Sequence, residues 1–189
     1  SSEKAFNEMK KIENSMSFHN PESELSKLNR LAAKEPVRIS DHLWNVLQRA
    51  QYYSELSDGA FDVTTAGALV RNRQLPDHGI KFSATANWEN IKMESNNVFY
   101  EKPLLIDLGG IAKGYAVDLS LKTIKSCSDM RYETNRICVN AGGDLKMEPW
   151  EGGKIDIRIP KEPYTDVVQV AMKNSAIATS SPYFGSAII

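Results

Sequence analysis

Cysteine is scarce in this chain, with only Cys127 and Cys138 among 189 residues. Two thiols do not make a disulfide framework, and their separation is not that of a metal-binding pair. Cys138 sits in the apolar run Ile137-Cys138-Val139 and is expected as a small buried side chain, with Cys127 as a loop thiol. So few cysteines are compatible with the cytosol or with an oxidising compartment. No apolar run approaches the ~20 residues that a membrane-spanning helix needs. The opening Ser1-Ser2-Glu3-Lys4 carries no signal sequence, although a trimmed mature form would also begin this way. Charge of one sign is missing too: 23 Lys plus Arg face 24 Asp plus Glu, for a net charge of -1. That excludes a basic field for wrapping nucleic acid, so any polyanion site must be a local pocket. The three histidines form no triad and no metal spacing. His42 falls in the first turn of a helix, His78 in an irregular loop, and His19 in a turn after Phe18, from which its ring can meet a ligand. By composition alone none outranks a solvated histidine.

What is present is ordinary for a globular chain. Apolar residues make up 41% and charged residues 25%, which excludes collagen-like and mostly disordered classes. The length suits one domain over residues 1–189 with a core that needs no disulfide. Phe6, Met9, Ile12 and Met16 recur at steps of three and four, which predicts a helix over 3–16. The stretch from His19 to Glu22, with Pro21, breaks it, and a second helix is predicted over 23–31 with Leu25 and Leu28 on one face. Ser40 is a suitable N-cap, followed by Asp41. Leu43, Val46, Leu47, Ala50 and either Tyr53 or Ser54 continue that helix at core spacing, and Gly59 is expected to cap its end. Phe61 to Thr64 then reads as a short strand, and 70–87 as an irregular surface loop.

Beyond residue 90 the period changes. Ile91 to Met93 and Val98 to Tyr100 flank Asn96-Asn97 and predict a hairpin. Leu104 to Ile106 reads as a short buried strand that Gly109-Gly110 stops, before a helix from Ile111 or Ala112 to about Lys125. Ile137 to Asn140 is a further strand, closed by Gly142-Gly143. Ile155, Ile157 and Ile159 alternate with charged residues, as a half-buried strand does, and Val168, Val170 and Met172 do the same. Ile177 to Thr179 is a candidate to pair as well. Helices first, then mainly strands around one long helix, predict an α+β fold with a mainly antiparallel sheet flanked by helices.

The most informative string runs from Leu105 to Asp118: Leu-Ile-Asp-Leu-Gly-Gly-Ile-Ala-Lys-Gly-Tyr-Ala-Val-Asp. A buried strand ends in the carboxylate of Asp107, two glycines follow, and Lys113 falls in the first turn of a helix. Glycines let a backbone approach a ligand closely, and a helix N-terminus offers free amides to phosphate. A plain strand-to-helix turn would explain Gly-Gly alone, but not an acid, two glycines and a lysine converging at one strand end. The glycine pattern is neither a dinucleotide fingerprint nor a P-loop. Three weaker segments accompany it: 57–64, with Phe61 and Asp62 after a helix stop; 139–145, a strand and tight turn; and 175–181, small and hydroxyl-rich. Taken alone, the first two read as structure, a capped turn and a hairpin turn, and the third is equally an edge strand or a place where a flat ligand or another backbone comes close.

Taken together, five ordered blocks resemble the ApbE family of FAD:protein FMN transferases. They are Met16-Ser17 through Asn29, Ser57 to Thr64, Ile106 to Asp118, Asn140 to Asp144, and Ser175 to Ser180. The resemblance implies binding of FAD and a divalent cation, usually Mg²⁺, and transfer of FMN to a threonine hydroxyl of an acceptor flavoprotein with release of AMP. Some members instead hydrolyse FAD to FMN and AMP. It also implies a bacterial lipoprotein working outside the cytoplasmic membrane, with a lipid anchor upstream of residue 1. Residue by residue, it implies that His19 holds the position of an aromatic stacked on the isoalloxazine. It further implies that Ala60, Phe61 and Asp62 line the FAD site, that Asp107 and Lys113 contact the flavin nucleotide, that the backbone carbonyl of Gly110 ligates the metal, and that Thr179 lies in a block near the flavin.

The sequence departs from the family pattern in three ways. An Asp-Pro-x-Thr-Gly segment and later metal-binding Asp and Thr residues are expected beyond Ile189, so the C-terminal segment is expected to be missing from this chain. Many members carry more residues between the Thr64 and Asp107 blocks. Finally, Ser186-Ala187-Ile188-Ile189 aligns with a Ser-His-Ile-Ile string, whose histidine is the family's proposed base and whose following residue, Ile188 here, counts among the flavin contacts. Ala187 cannot move a proton, so an inactive, FAD-trapping form is expected as an alternative to transferase or FAD pyrophosphatase activity.

Overall fold

The structure, a computed structural model, describes residues 2–127, 136–159 and 166–180. The chain divides into two compact units, Ser1–Met9 with Lys113–Ile189, and Lys10–Ala112. Helix α1, Ser2–Met16, contributes to both. Its buried stripe is Ala5, Ile12 and Met16, with Met9 half-buried, while Phe6 is 70% exposed. The predicted face is corrected here for a geometric reason. At 3.6 residues per turn, two successive steps of three fall about 120° short of full turns, which carries Phe6 off the stripe.

In the unit Lys10–Ala112, helix α2, Glu24–Leu31, starts at Ser23, whose side chain accepts from Ser26 N. Strand β1, Val37–Arg38, leads to helix α3, Asp41–Leu56, capped by Ser40, which accepts from Leu43 N. Leu43, Val46, Leu47, Ala50 and Ser54 face inward, and Tyr53 is 42% exposed, so Ser54 takes the last core position. The helix stops before Gly59. Asp58 adopts φ 52 one residue after the Ser57 cap, and Gly59 follows at φ 78. Gly59 N donates to Ser54 O at 2.8 Å and Asp58 N to Glu55 O at 3.2 Å, the paired bonds of a Schellman ending.

The strand expected at Phe61 to Thr64 is replaced by a 3₁₀ turn, Val63–Thr65, running into helix α4, Ala66–Arg71. Asp62 Oδ1 accepts from both Thr64 N and Thr64 Oγ1 at 2.8 Å, and this local bonding holds the chain in a turn. Strands β2, Ile91–Glu94, and β3, Asn97–Tyr100, form the predicted hairpin, but its turn is Ser95-Asn96, one residue early. Both turn residues have positive φ, 49° and 61°, as a two-residue hairpin loop requires. The antiparallel order is β1-β3-β2.

Leu104, Leu105 and Ile106 are buried as expected, yet they join no sheet. A side chain supplies the missing partner: Ile106 N donates to Asn29 Oδ1 at 2.9 Å, and Asn29 Nδ2 donates to Ile106 O at 3.0 Å. The buried amide pairs with the backbone as a neighbouring strand would.

In the other unit, helix α5, Ala112–Cys127, packs Val117 and Leu121 against Val139 of strand β4, Ile137–Ala141. Strand β5, Asp144–Glu148, pairs with β4 across Gly142 and Gly143 at φ 65 and 103. Cys138 is exposed and not buried as predicted, because alternation along β4 turns Val139 inward and its neighbour out. Strands β6, Lys154–Arg158, and β7, Val167–Ala171, pair with each other. Ile155 and Ile157 are half-buried as predicted, whereas Val168 is 49% exposed. Strand β8, Ala176–Ala178, pairs with β5, giving the order β4-β5-β8. Every pairing is antiparallel among the described residues, and the α+β class stands. No described helix is long and apolar enough to cross a membrane.

Candidate functional site

The bend after Ile106 is built from backbone constraints. Asp107 N donates to Val63 O at 2.9 Å, which ties the bend to the 3₁₀ turn. Asp107 Oδ2 accepts from Gly109 N at 3.2 Å. A Cβ on Gly109 would lie 3.0 Å from that same oxygen, so the tight return of the carboxylate onto its own backbone favours glycine there. Ile111 N and Ala112 N both donate to Leu108 O, turning the chain into α5. Burial pushes the Asp107 carboxyl above its ordinary range, while the Gly109 amide, the nearby His19 and the Leu108 amide pull it back. The result is a partly buried acid at an exposed glycine corner, able to accept a hydrogen bond from a ligand hydroxyl or ring N–H.

The other candidates of the same unit surround this corner unequally. Phe61 lies against Gly110, where an added Cβ would stand 3.5 Å from its ring edge. Its amide is held by Ser57 Oγ at 2.9 Å, and its ring meets Tyr53 edge-on with centroids 6.3 Å apart. Asp62 spends both oxygens inside the chain, Oδ1 on Thr64 and Oδ2 on Trp88 N at 3.3 Å. Its carboxylate therefore shapes the segment carrying Ala60 and Phe61. Ala60 is exposed, and its amide donates to Ser57 O at 3.1 Å. His19 is exposed and within electrostatic reach of Asp107.

Lys113 and Thr179 belong to the other unit. Lys113 is exposed, the second residue of α5. Thr179 closes onto the β4–β5 turn: its amide donates to Gly143 O at 3.1 Å, and a Cβ at Gly143 would sit 2.6 Å from its Oγ1. Ala187 and Ile188 lie outside the described residues. Gly110 is exposed and offers a carbonyl at the corner. Among the described residues, no group of three or more His, Cys, Asp or Glu side chains is placed to hold a metal ion. A Mg²⁺ ion keeps several waters and takes few protein oxygens beside substrate phosphates, so the Gly110 carbonyl can supply one donor of such a site and not the whole of it.

Two residues escaped the sequence reading. Asn29 is buried in place of an apolar residue on the α2 stripe, and that polar interruption was its signal. His78 is half-buried, and its Nε2 lies 2.8 Å from Phe18 O. It carried no local signal, since its partner is 60 residues away.

Fold and corner together define an α+β protein with an acid-and-glycine bend leading into a helix. The chain belongs to the ApbE family, whose family model matches residues 1–185. It is 27% identical over 194 residues to the FAD:protein FMN transferase of Vibrio cholerae, covering 93% of this chain and 56% of that protein. It is 29% identical over 182 residues to that of Chlamydia pneumoniae, covering 90% of this chain and 55% of the relative. The crystal structure of the ApbE protein of Thermotoga maritima superposes with a TM-score of 0.78 at 27% identity, over 96% of this chain and 62% of its own. The flavin transferase ApbE of Vibrio cholerae shares the fold with a TM-score of 0.75 at 24% identity, over 100% of this chain and 66% of its own. The chain thus spans about half the length of the curated relatives it matches.

Proposed function

We propose that this chain binds FAD and serves the transfer of its FMN half to a threonine hydroxyl of an acceptor flavoprotein, with release of AMP. Family membership supports the reading, together with relatives that are named FAD:protein FMN transferases. The observation that carries it in this molecule is the corner at Asp107, where a partly buried carboxylate, two exposed glycines and the Phe61 ring converge.

In this reading, the acceptor oxygen attacks the phosphorus of the FMN half. A new P–O bond forms as the diphosphate bridge breaks, and AMP leaves with the bridging oxygen. The work left to the protein is positioning and stabilisation of the phosphoryl charge. Asp107 fixes a polar edge of the nucleotide, and the His19 and Phe61 rings offer stacking faces. The glycines of the corner let the backbone approach closely. The resemblance gives Lys113 the neutralisation of diphosphate charge. The hydroxyl proton needs a base, and Ala187 stands where the family has its histidine. That substitution favours a second reading, FAD binding without turnover. Dependence on Mg²⁺, hydrolysis of FAD as a competing outcome and a lipid-anchored, extracytoplasmic setting belong to the same proposal.

The test is intact-mass analysis of a threonine-containing acceptor after incubation with the chain, FAD and Mg²⁺, with an EDTA control. An FMN adduct lost on chelation supports transfer. Free FMN and AMP without an adduct mean hydrolysis. Quenching of flavin fluorescence without either product means binding only, and Ala187→His should then raise turnover. Absence of quenching overturns the flavin reading.

A further inference from the structure

The turn that carries His19 is pinned at three carbonyls. Ser23 Oγ donates to Ser17 O at 2.7 Å, and Ser26 Oγ donates to Asn20 O at 2.7 Å. Both serines come from the start of α2, a few residues away. The third clamp is His78, with Nε2 2.8 Å from Phe18 O. A carbonyl oxygen only accepts, so Nε2 carries the proton in this contact. The imidazole also packs on the Phe18 ring, centroids 5.4 Å apart.

His78 is held for this contact by its own surroundings. Asp77 Oδ1 accepts from Gly79 N at 2.8 Å, and Gly79 takes φ 70, which closes a tight turn around the histidine. Leu75 on one side and Ile80 on the other pack against the buried cluster of Phe18, Ala66 and Leu105. Phe18 is only 3% exposed, and Leu105 lies two residues before Asp107. The irregular segment is therefore anchored in the same cluster that packs Phe18 with Leu105. His19, between the pinned carbonyls of Phe18 and Asn20, is left exposed.

We propose that His78 is a positioning residue for the candidate flavin site: by donating to the Phe18 carbonyl and packing on its ring, it fixes the backbone from which His19 serves the Asp107 corner. The proposal rests on the flavin reading for its consequence, but not for its geometry. A purely structural histidine would affect stability and leave His19 alone. A positioning histidine acts on ligand binding through His19, and an amide donor in the same place replaces it. Gln places an amide nitrogen close to the Nε2 position, Phe keeps a ring without a donor, and Asn ends nearer Nδ1.

The experiment compares His78→Phe and His78→Gln in the 189-residue chain by FAD fluorescence quenching, with NMR of the His19 amide and imidazole in the absence of FAD. Losing one hydrogen bond of ordinary strength should weaken FAD binding about fivefold in His78→Phe and less than about twofold in His78→Gln. In a His19→Ala background, His78→Phe should have no further effect. The His19 resonances should move in His78→Phe and stay near wild type in His78→Gln. If His78→Phe does not fold, His78→Asn takes its place with the same expectations. Unchanged FAD affinity, or a full effect that persists without His19, would overturn the proposal. If the wild-type chain does not quench FAD, the flavin reading fails, and the His19 resonances alone decide: displaced in His78→Phe and restored in His78→Gln they support the clamp, unmoved they end it.

Discussion

The unit Lys10–Ala112 and the unit formed by Ser1–Met9 with Lys113–Ile189 hold their shape by different means. In the first, buried side-chain polar groups organise the backbone. Ser23, Ser26 and Asn29 are all buried, and each bonds to a main-chain group. They surround an apolar core that includes Leu25, Leu28, Leu43, Leu47 and Ile106. In the second, ladders such as β4–β5 and β6–β7 carry the order, and β7 leaves Val167 and Val168 54% and 49% exposed. The difference shows how a site is fixed. Regular ladders satisfy the backbone without side chains, whereas a non-repeating corner such as 106–110 needs dedicated buried partners, because an unpaired amide inside a protein is costly.

Substitutions should separate the two regions. Leu47→Ala opens a cavity in the first unit and should lower stability by about 3–4 kcal/mol in urea unfolding. Asn29→Leu keeps the branched side-chain skeleton but leaves Ile106 N–H and C=O without their partner, a loss of about 2–3 kcal/mol. That variant should also weaken FAD binding, since the backbone entering Asp107 loses its tether. If it proves as stable as wild type, the contrast drawn between the units is wrong.

Asp107→Asn should act in the opposite sense on stability. Burial raises the Asp107 carboxyl from its ordinary 3.8, so the folded chain binds its proton up to a higher pH than the unfolded chain does. Stability then falls as pH rises between the unfolded and folded values, and the penalty is complete above them. Asn removes it while keeping an acceptor for Gly109 N. The variant should be more stable than wild type at neutral pH, lose that advantage in acid, and bind FAD more weakly. Thermal midpoints across pH, with FAD titrations, check both halves. The smallest effect is expected at Val168→Thr, within about 0.5 kcal/mol, because the side chain is already half in solvent.

What the sequence disclosed follows the range of the interaction. The Ser40 cap, the Leu43 to Ala50 stripe, the Ile155/Ile157 alternation and the Gly142-Gly143 hairpin depend on neighbours within one turn or one pleat. The α+β class follows from those pieces. Failures came where a side chain answers to something distant or to a competing local bond. Asn29 meets Ile106 across 77 residues, and His78 meets Phe18 across 60. Asp62 bends its own backbone into a turn where apolar residues suggested a strand. At the candidate site, the string 105–118 pointed to Asp107 and Gly110 by residue type, and the family resemblance pointed to Phe61. The electrostatic link from Asp107 to His19, the closure of Asp62 onto Trp88 and the grip of His78 required the folded chain.

The most direct measurement is a ¹H–¹⁵N correlation spectrum of the chain titrated with FAD. Saturable shifts should concentrate at His19, Phe61 and the amides of 107–110, and leave the β6–β7 pair still. Shifts confined to the β6–β7 strands, or none anywhere at millimolar FAD, would contradict a flavin site at the Asp107 corner.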